Sequence, residues 1–377
     1  YGLQRRGSLD PGLTGWLEGY LATVEPAMQE AGFPLAPYVT FRRWHDPRSG
    51  LKDWVASPRF SQGYAAVRNR PGLLVEAHML KPYPVRVAAT RALLDATLAH
   101  LATERDRLRD LTDQADRRAA SAAWRAEPFA LGWEGTDRHE PFEFLGVAYE
   151  EVTSELSGGT YIRYDASRPE TFTVEFYNQP RPSALADLPE AYLVPPEWDV
   201  VIDRLALHGV QLTRLREPVT LEVRSWRFQD VTWRERPYEG RHPLRYALEP
   251  LREVRTFPAG TAVIDLAQPA APAAAHGLEP AGPDAFVRWG FFDAIMTRVE
   301  YVESYVIEPM MQEMVAENPD LLDELEAAKA ADPAFAADPW AIRSWFYART
   351  PFFDDRAYVY PVGLLDDRNL LETLPLK

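Results

Sequence analysis

The 377-residue chain contains no cysteine. That excludes disulfide staples, thiolate-bound zinc, iron–sulfur clusters and a cysteine nucleophile. It fits a cytosolic protein and equally an exported one that does without disulfides. Clustered positive charge is lacking too: 41 Lys and Arg stand against 56 Asp and Glu, for a formal net charge of −15. A nucleic-acid partner is excluded on that ground, because phosphate binding needs grouped cations. No uninterrupted apolar run approaches the roughly 20 residues that cross a bilayer as a helix, so no membrane span is expected. The sequence has no G-x-S-x-G elbow, no phosphate-cradling G-x-x-x-x-G-K and no H-E-x-x-H.

What is present is a globular composition, 46% hydrophobic and 26% charged, enough for a sizeable core and more than one domain. The texture changes twice. Residues 1–103 mix helical and strand patterns, 104–127 are charged and helical, and 128–377 combine strands and helices. Asp10-Pro11 is a helix start, and Trp16, Leu17, Tyr20, Leu21 and Val24 recur at helical spacing. A short strand is expected at 38–41, a long loop over 42–61 and a buried strand over 72–76. A helix follows from Val85 to His100, with Val87, Leu94, Thr97, Leu98 and Leu101 on its core face. The 104–127 stretch reads as a solvated connecting helix.

Farther on, strands are expected around 171–176, 220–223 and 261–264, and a helix from Pro195-Pro196 to Gly209. A loop is expected over the Ala/Pro-rich 268–283. The last expected helix starts at Pro283-Asp284 and carries Phe292, Ile295, Met296, Val299, Val302 and Val306 on one face, with Pro309 kinking or ending it.

The stretch with the most chemistry is 63–86. An apolar strand delivers one carboxylate, Glu76, at its end. His78, Lys81, Tyr83 and Arg86 follow at once. Strand ends are where α/β enzymes place catalytic groups. Alternation puts Glu76 and His78 on one side of an extended chain, and Glu76 is a candidate general base. Taken alone, a strand-end Glu is as well explained by a surface ion pair, Arg86 by ion pairing and Tyr64 by loop packing. His208, next to Gly209, reads as a favourable charge at a helix C-terminus. Trp289, Phe291 and Phe292 read as core.

The run LLVEAHMLKPYPVRVAAT (73–90) resembles the segment around the catalytic glutamate of a bacterial branch of zinc carboxypeptidase-like peptidases, in which a strand ending L-V-E-x-H-x-L-K-P-Y leads into an Arg and a helix. The preceding PRFSQGY, and AYLVPPEW, LALHGV, RPYEGRH, FPAGTAV, WGFFDAI and EYVESYV downstream, are similar to the same proteins. The resemblance implies an α/β fold. Residues 1–103 would be the C-terminal part of a mixed-sheet zinc carboxypeptidase-like catalytic domain, 104–127 a helical connector and 128–377 an α+β region. It implies hydrolysis of C-terminal peptide bonds with Glu76 as general base, and a peptide substrate met by Tyr64, Lys81, Tyr83 and Arg86. It also implies one zinc held by the His and Glu of an H-x-x-E motif and a later His. The reading adopted is that this chain has no H-x-x-E among its seven histidines. No metal ligand is therefore assigned in it, and the zinc ligands are expected upstream of Tyr1. The opening on Tyr1 rather than Met reads as the interior of a longer chain, inactive alone. A periplasmic or secreted location goes with the resemblance; the oligomeric state is left open. Two rival readings stand beside it: a non-catalytic peptide-binding module derived from a peptidase, and a carboxylate-pair hydrolase that works without metal.

Overall fold

The structure is a computed structural model that describes residues 1–298 and 300–377. Val299, expected on the face of the last helix, lies outside the described residues. The N-terminal third is organised by two helices, Pro11–Glu30 and Tyr83–Ala119. The first is capped by Asp10, whose Oδ1 accepts from the Gly12 N–H at 2.8 Å, with Pro11 in its first turn. It buries Leu13, Trp16, Leu17, Tyr20, Leu21, Val24 and Met28, a stripe at i, i+3, i+4 spacing. Each such side chain contributes about 1.5–3 kcal/mol. The stripe meets Leu93 and Ala115, with Leu101, Leu108 and Leu111 partly buried around them. The Tyr20 and Thr97 hydroxyls are 2.7 Å apart.

Two expectations for this region are corrected. The helix from 85 to 100 and the charged stretch after it are one 37-residue helix, about 55 Å long at 1.5 Å per residue. Its core face is the expected one only in part: Thr97 and Leu101 do meet the first helix. Leu93, His100 and Ala115 are buried, while Val87, Leu94 and Leu98 face solvent, Leu98 at 63%. The first helix covers a face that mixes Leu93, His100, Leu101, Leu108 and Leu111 with Ala92, Ala96 and Ala115.

The sheets are several. Gly2–Leu3 pairs antiparallel with Leu73–Leu74. A four-stranded sheet runs in the order Thr40–Arg43, Asp46–Lys52, Thr160–Tyr177, Glu140–Thr153. Here Leu51 pairs in parallel with Phe176. Leu51, Phe172, Val174 and Phe176 form its core, which confirms the alternation read at 171–176. The strand Asp46–Lys52 falls inside the expected loop 42–61; Ser49 and Gly50 hide it by composition. A two-stranded pair, Phe129–Glu134 with Arg181–Ala186, stands apart.

The largest sheet has six strands, ordered 213–214, 262–265, 191–194, 363–365, 219–233 and 244–257. The helices Asp199–Leu207 and Ala271–Leu278 share its main core, where Tyr192, Val201, Ile202, Leu205, Ile264, Ala274, Phe292 and Tyr360 are buried. The expected loop over 268–283 is thus corrected to a helix whose alanines fit flush to the sheet. The expected helix from Pro283 is corrected too. Residues 284–298 are turns with a short 3-10 stretch at Asp293–Met296, and the helix is Ser304–Glu317 with Pro309 inside it. Three further helices, Asp320–Ala331, Pro333–Ala337 and Pro339–Tyr347, join it around Ile307, Leu321, Leu325 and Phe346. The molecule is therefore mixed α/β with several sheets.

Gly63, in the helix Ser61–Val67, marks a close backbone approach. A Cβ there would lie 2.2 Å from the Ser57 carbonyl oxygen and 2.6 Å from that of Ala56. Both neighbours are main chain, so Gly63→Ala should destabilise by about 1–3 kcal/mol, read as a lower urea midpoint with an unchanged slope. A loss under about 0.5 kcal/mol, the range of ordinary surface changes, would contradict this account of the turn.

Candidate functional site

The strand that presents Glu76 is short. Pairing with Gly2–Leu3 ends at Leu74, and Leu73 and Leu74 are half-buried rather than buried. Val75 to Lys81 lie outside any strand and are exposed. The expected buried strand through Glu76 is corrected accordingly, and with it the alternation that put Glu76 and His78 on one side. His78 instead accepts the Leu80 N–H on Nδ1 at 3.2 Å within a turn. Glu76 stands in solvent among exposed apolar side chains: Val75, Met79 at 77%, Leu80 at 79% and Tyr83 at 70%.

Lys81, Tyr83 and Arg86 gather at the start of the long helix. The Arg86 Nε–H donates to the Lys81 carbonyl at 3.1 Å, and its guanidinium lies 5.5 Å from the Tyr83 ring centroid. This arrangement fixes the helix entry and leaves the Lys81 ammonium and the Tyr83 ring at the surface, beside the turn that follows Glu76.

Tyr64 belongs to a different place. It lines a cleft of about 460 Å³ between the 58–67 segment and the elements around the six-stranded sheet. Its hydroxyl lies 2.9 Å from His208 Nδ1. The cleft is walled by Phe60, Phe286, Trp289 and Phe291, with Arg59, Asp284 and His276. Arg59 ties its two sides together. Its backbone N–H donates to Asp284 Oδ2 at 3.0 Å, its Nε is 3.7 Å from Asp284 Oδ1, and its Nη1 donates to the Tyr238 hydroxyl. Trp289 donates Nε1–H to Asp284 Oδ1 at 3.3 Å.

Sequence reasoning misplaced several of these residues. Phe292 is core and Phe291 packs against that core, as expected, though Phe291 also lines the cleft, as does Trp289. His208 does cap the C-terminus of Asp199–Leu207. Burial, with Arg68 and Arg204 nearby, nonetheless lowers its pKa, so it favours the neutral form and does not serve as a helix-end charge.

The statement that no H-x-x-E occurs is also corrected, by the sequence itself. His276-Gly277-Leu278-Glu279 has that spacing. Its side chains do not converge as ligands. His276 Nε2 is 3.1 Å from Ser8 Oγ, and its ring meets Phe129 edge-on at 5.0 Å. Glu279, at the helix C-terminus, accepts the Tyr192 hydroxyl proton on Oε1 at 2.6 Å. Burial pushes His276 down to about 4, which favours its neutral form, and Glu279 up to about 7, well above the usual carboxylate range. Among the described residues no group of three or more His, Asp or Glu is placed to hold a metal ion. The donors present therefore do not fit the zinc that the sequence resemblance implies. No described helix is long and apolar enough to cross a membrane.

Comparison with known proteins gives a partial likeness. Two proteins named Carboxypeptidase 2, from Trichophyton tonsurans and Trichophyton equinum, are each 29% identical to this chain over 102 residues. The match covers 27% of this chain and 19% of theirs, so the chain spans about a fifth of the length of these relatives. No family model and no solved structure matches it. The likeness supports a carboxypeptidase relationship at most.

Proposed function

We propose that this chain is part of a carboxypeptidase-type peptidase and that Glu76 is the carboxylate that moves the proton when the C-terminal peptide bond is cut. The observation that carries the reading is the 102-residue likeness to two proteins named Carboxypeptidase 2. The exposed position of Glu76 supports it, since a general base must be reachable by substrate and water. In the proposed step a water gives a proton to the Glu76 carboxylate as its oxygen bonds the carbonyl carbon. The C–N bond then breaks, and the proton passes to the leaving amine. Lys81 and Arg86 are the cations available to a peptide carboxylate. In the same reading, residues 1–103 belong to a carboxypeptidase-like domain and the location is periplasmic or secreted. Zinc ligands would have to come from outside this chain, and no step above is routed through the metal.

The test uses the whole gene product with an N-blocked dipeptide and its C-terminal amide, before and after chelation and zinc return. Release of the last residue from the free acid, with the amide cut at least about a hundredfold more slowly, is the expected result. Equal cleavage of the two would sink the reading. The rival is a peptide-binding module without catalysis; saturable binding of the free acid with no release would establish that instead.

A further inference from the structure

The cleft between the 58–67 segment and the larger sheet is separate from Glu76, which is not on its walls. Its room comes from small residues. Ala273 and Gly277 stand four apart on the helix Ala271–Leu278, so they share one face of it, and both line the cleft. Phe286 is pressed onto Gly277: a Cβ there would lie 2.6 Å from Phe286 Cε2. The walls are aromatic. Phe286 meets Phe291 edge to face at 5.4 Å, and Trp289 stacks with Tyr238 at 6.2 Å. Such surfaces accept planar rings. The charges on the lining are closed on each other or lie in water. Arg59 and Asp284 form a pair. Glu239 is exposed on the turn between Tyr238 and Arg241. Burial, with Arg68 and Arg204 nearby, lowers the pKa of His208, and burial takes His276 down to about 4, so both rings favour the neutral form. A charged ligand would lose its water here without an unpaired opposite charge inside the cleft to meet it. One polar group stays available. The Tyr64 hydroxyl, 2.9 Å from His208 Nδ1, has capacity for a second hydrogen bond.

We propose that this cleft is a binding site for a small, uncharged, planar aromatic molecule, seated against Tyr64, Phe286 and Trp289 over Ala273 and Gly277, with one hydrogen-bonding group at the Tyr64 hydroxyl. A volume of about 460 Å³ is within the range of small-molecule sites. The aromatic walls supply the affinity, and the closed Arg59–Asp284 pair selects a neutral ligand over a charged one of the same shape.

The test is calorimetric titration of the protein with 2-naphthamide, 2-naphthoate and 2-naphthylmethylamine, which share their rings and are neutral, negative and positive near neutral pH. The amide should bind at least about tenfold more tightly than either charged compound. Ala273→Leu, which fills the floor of the cleft, should weaken the amide at least about tenfold. Tyr64→Phe removes only a hydroxyl from a partly exposed side chain, so it tests the site even where the larger substitution disturbs folding. It should weaken the amide about three- to tenfold, with the near-UV spectrum unchanged. No binding of the amide at millimolar concentration, a charged analogue bound as tightly, or a parent-like affinity for the amide in a folded Tyr64→Phe or Ala273→Leu protein would overturn the proposal. Because Glu76 is not on the lining, Glu76→Gln should leave the titration unchanged, so failure here and failure of the peptidase reading are distinguishable.

Discussion

Replacing Glu76 with Gln should lower release of the C-terminal residue by the whole gene product by about 10²–10⁴-fold, the usual contribution of a positioned general base. Gln keeps the length and the polar surface of the side chain but cannot take a proton from water. Its effect should therefore fall on kcat, with KM within about threefold. Stability offers no competing explanation, because Glu76 is exposed and lies beyond the last paired strand residue. A surface change of this kind shifts stability by no more than about 0.5 kcal/mol. Glu76→Asp should be intermediate, since the carboxylate is retained but withdrawn by one methylene. Steady-state kinetics on the three proteins, with thermal melts alongside, makes the check. Turnover of Glu76→Gln near that of the parent would remove Glu76 from the mechanism, whatever the chain's relatives do.

Sequence periodicity read the first helix well because its signals agree: a capping Asp10, Pro11 behind it and one continuous apolar stripe. It read the long helix only in part. Leucines recur on more than one face there, and Val87, Leu94 and Leu98 are on the one left in solvent. Burial is decided by the partner helix, which a single sequence does not display. The strand Asp46–Lys52 was illegible for a related reason. Its residues are polar, and what holds it is the ladder to Thr40–Arg43 and to Thr160–Tyr177, a pairing to a segment more than 100 residues away. At the candidate site, the local motif 73–90 singled out Glu76. The cleft was not legible, because its walls come from three distant segments: Arg59 and Tyr64 from one, His208 and Trp289 from the others. Only the His276-to-Glu279 spacing stood in plain view, and the structure turns that pair inward, toward Ser8 and Tyr192.

That inward pair carries the largest expected effect on stability. Glu279 is buried behind the sheet, and its pKa is pushed up to about 7, mainly by loss of solvation; the Tyr192 hydroxyl bond and Arg224 oppose the rise. The folded state thus holds a proton that the unfolded chain releases near the ordinary value of 4.5. Stability falls as pH rises through that window, by about 1.4 kcal/mol per pH unit, and about 3 kcal/mol stays lost above pH 7. His276 works in the opposite sense. Its folded pKa of about 4 lies below the ordinary 6.5, so its contribution is present above 6.5 and is lost as pH falls toward 4. Between about pH 4.5 and 6.5 the two slopes nearly cancel. Glu279→Gln removes one of them while keeping a carbonyl acceptor for the Tyr192 hydroxyl. Relative to the parent, the variant should gain little at pH 4.5 and about 3 kcal/mol at pH 8, measured by urea unfolding across that range. The His276 slope should then show through as stability that climbs between pH 4.5 and 6.5. A difference between the two proteins that does not change with pH would mean that Glu279 is already ionised in its buried place, with Arg224 and Tyr192 enough to hold the charge.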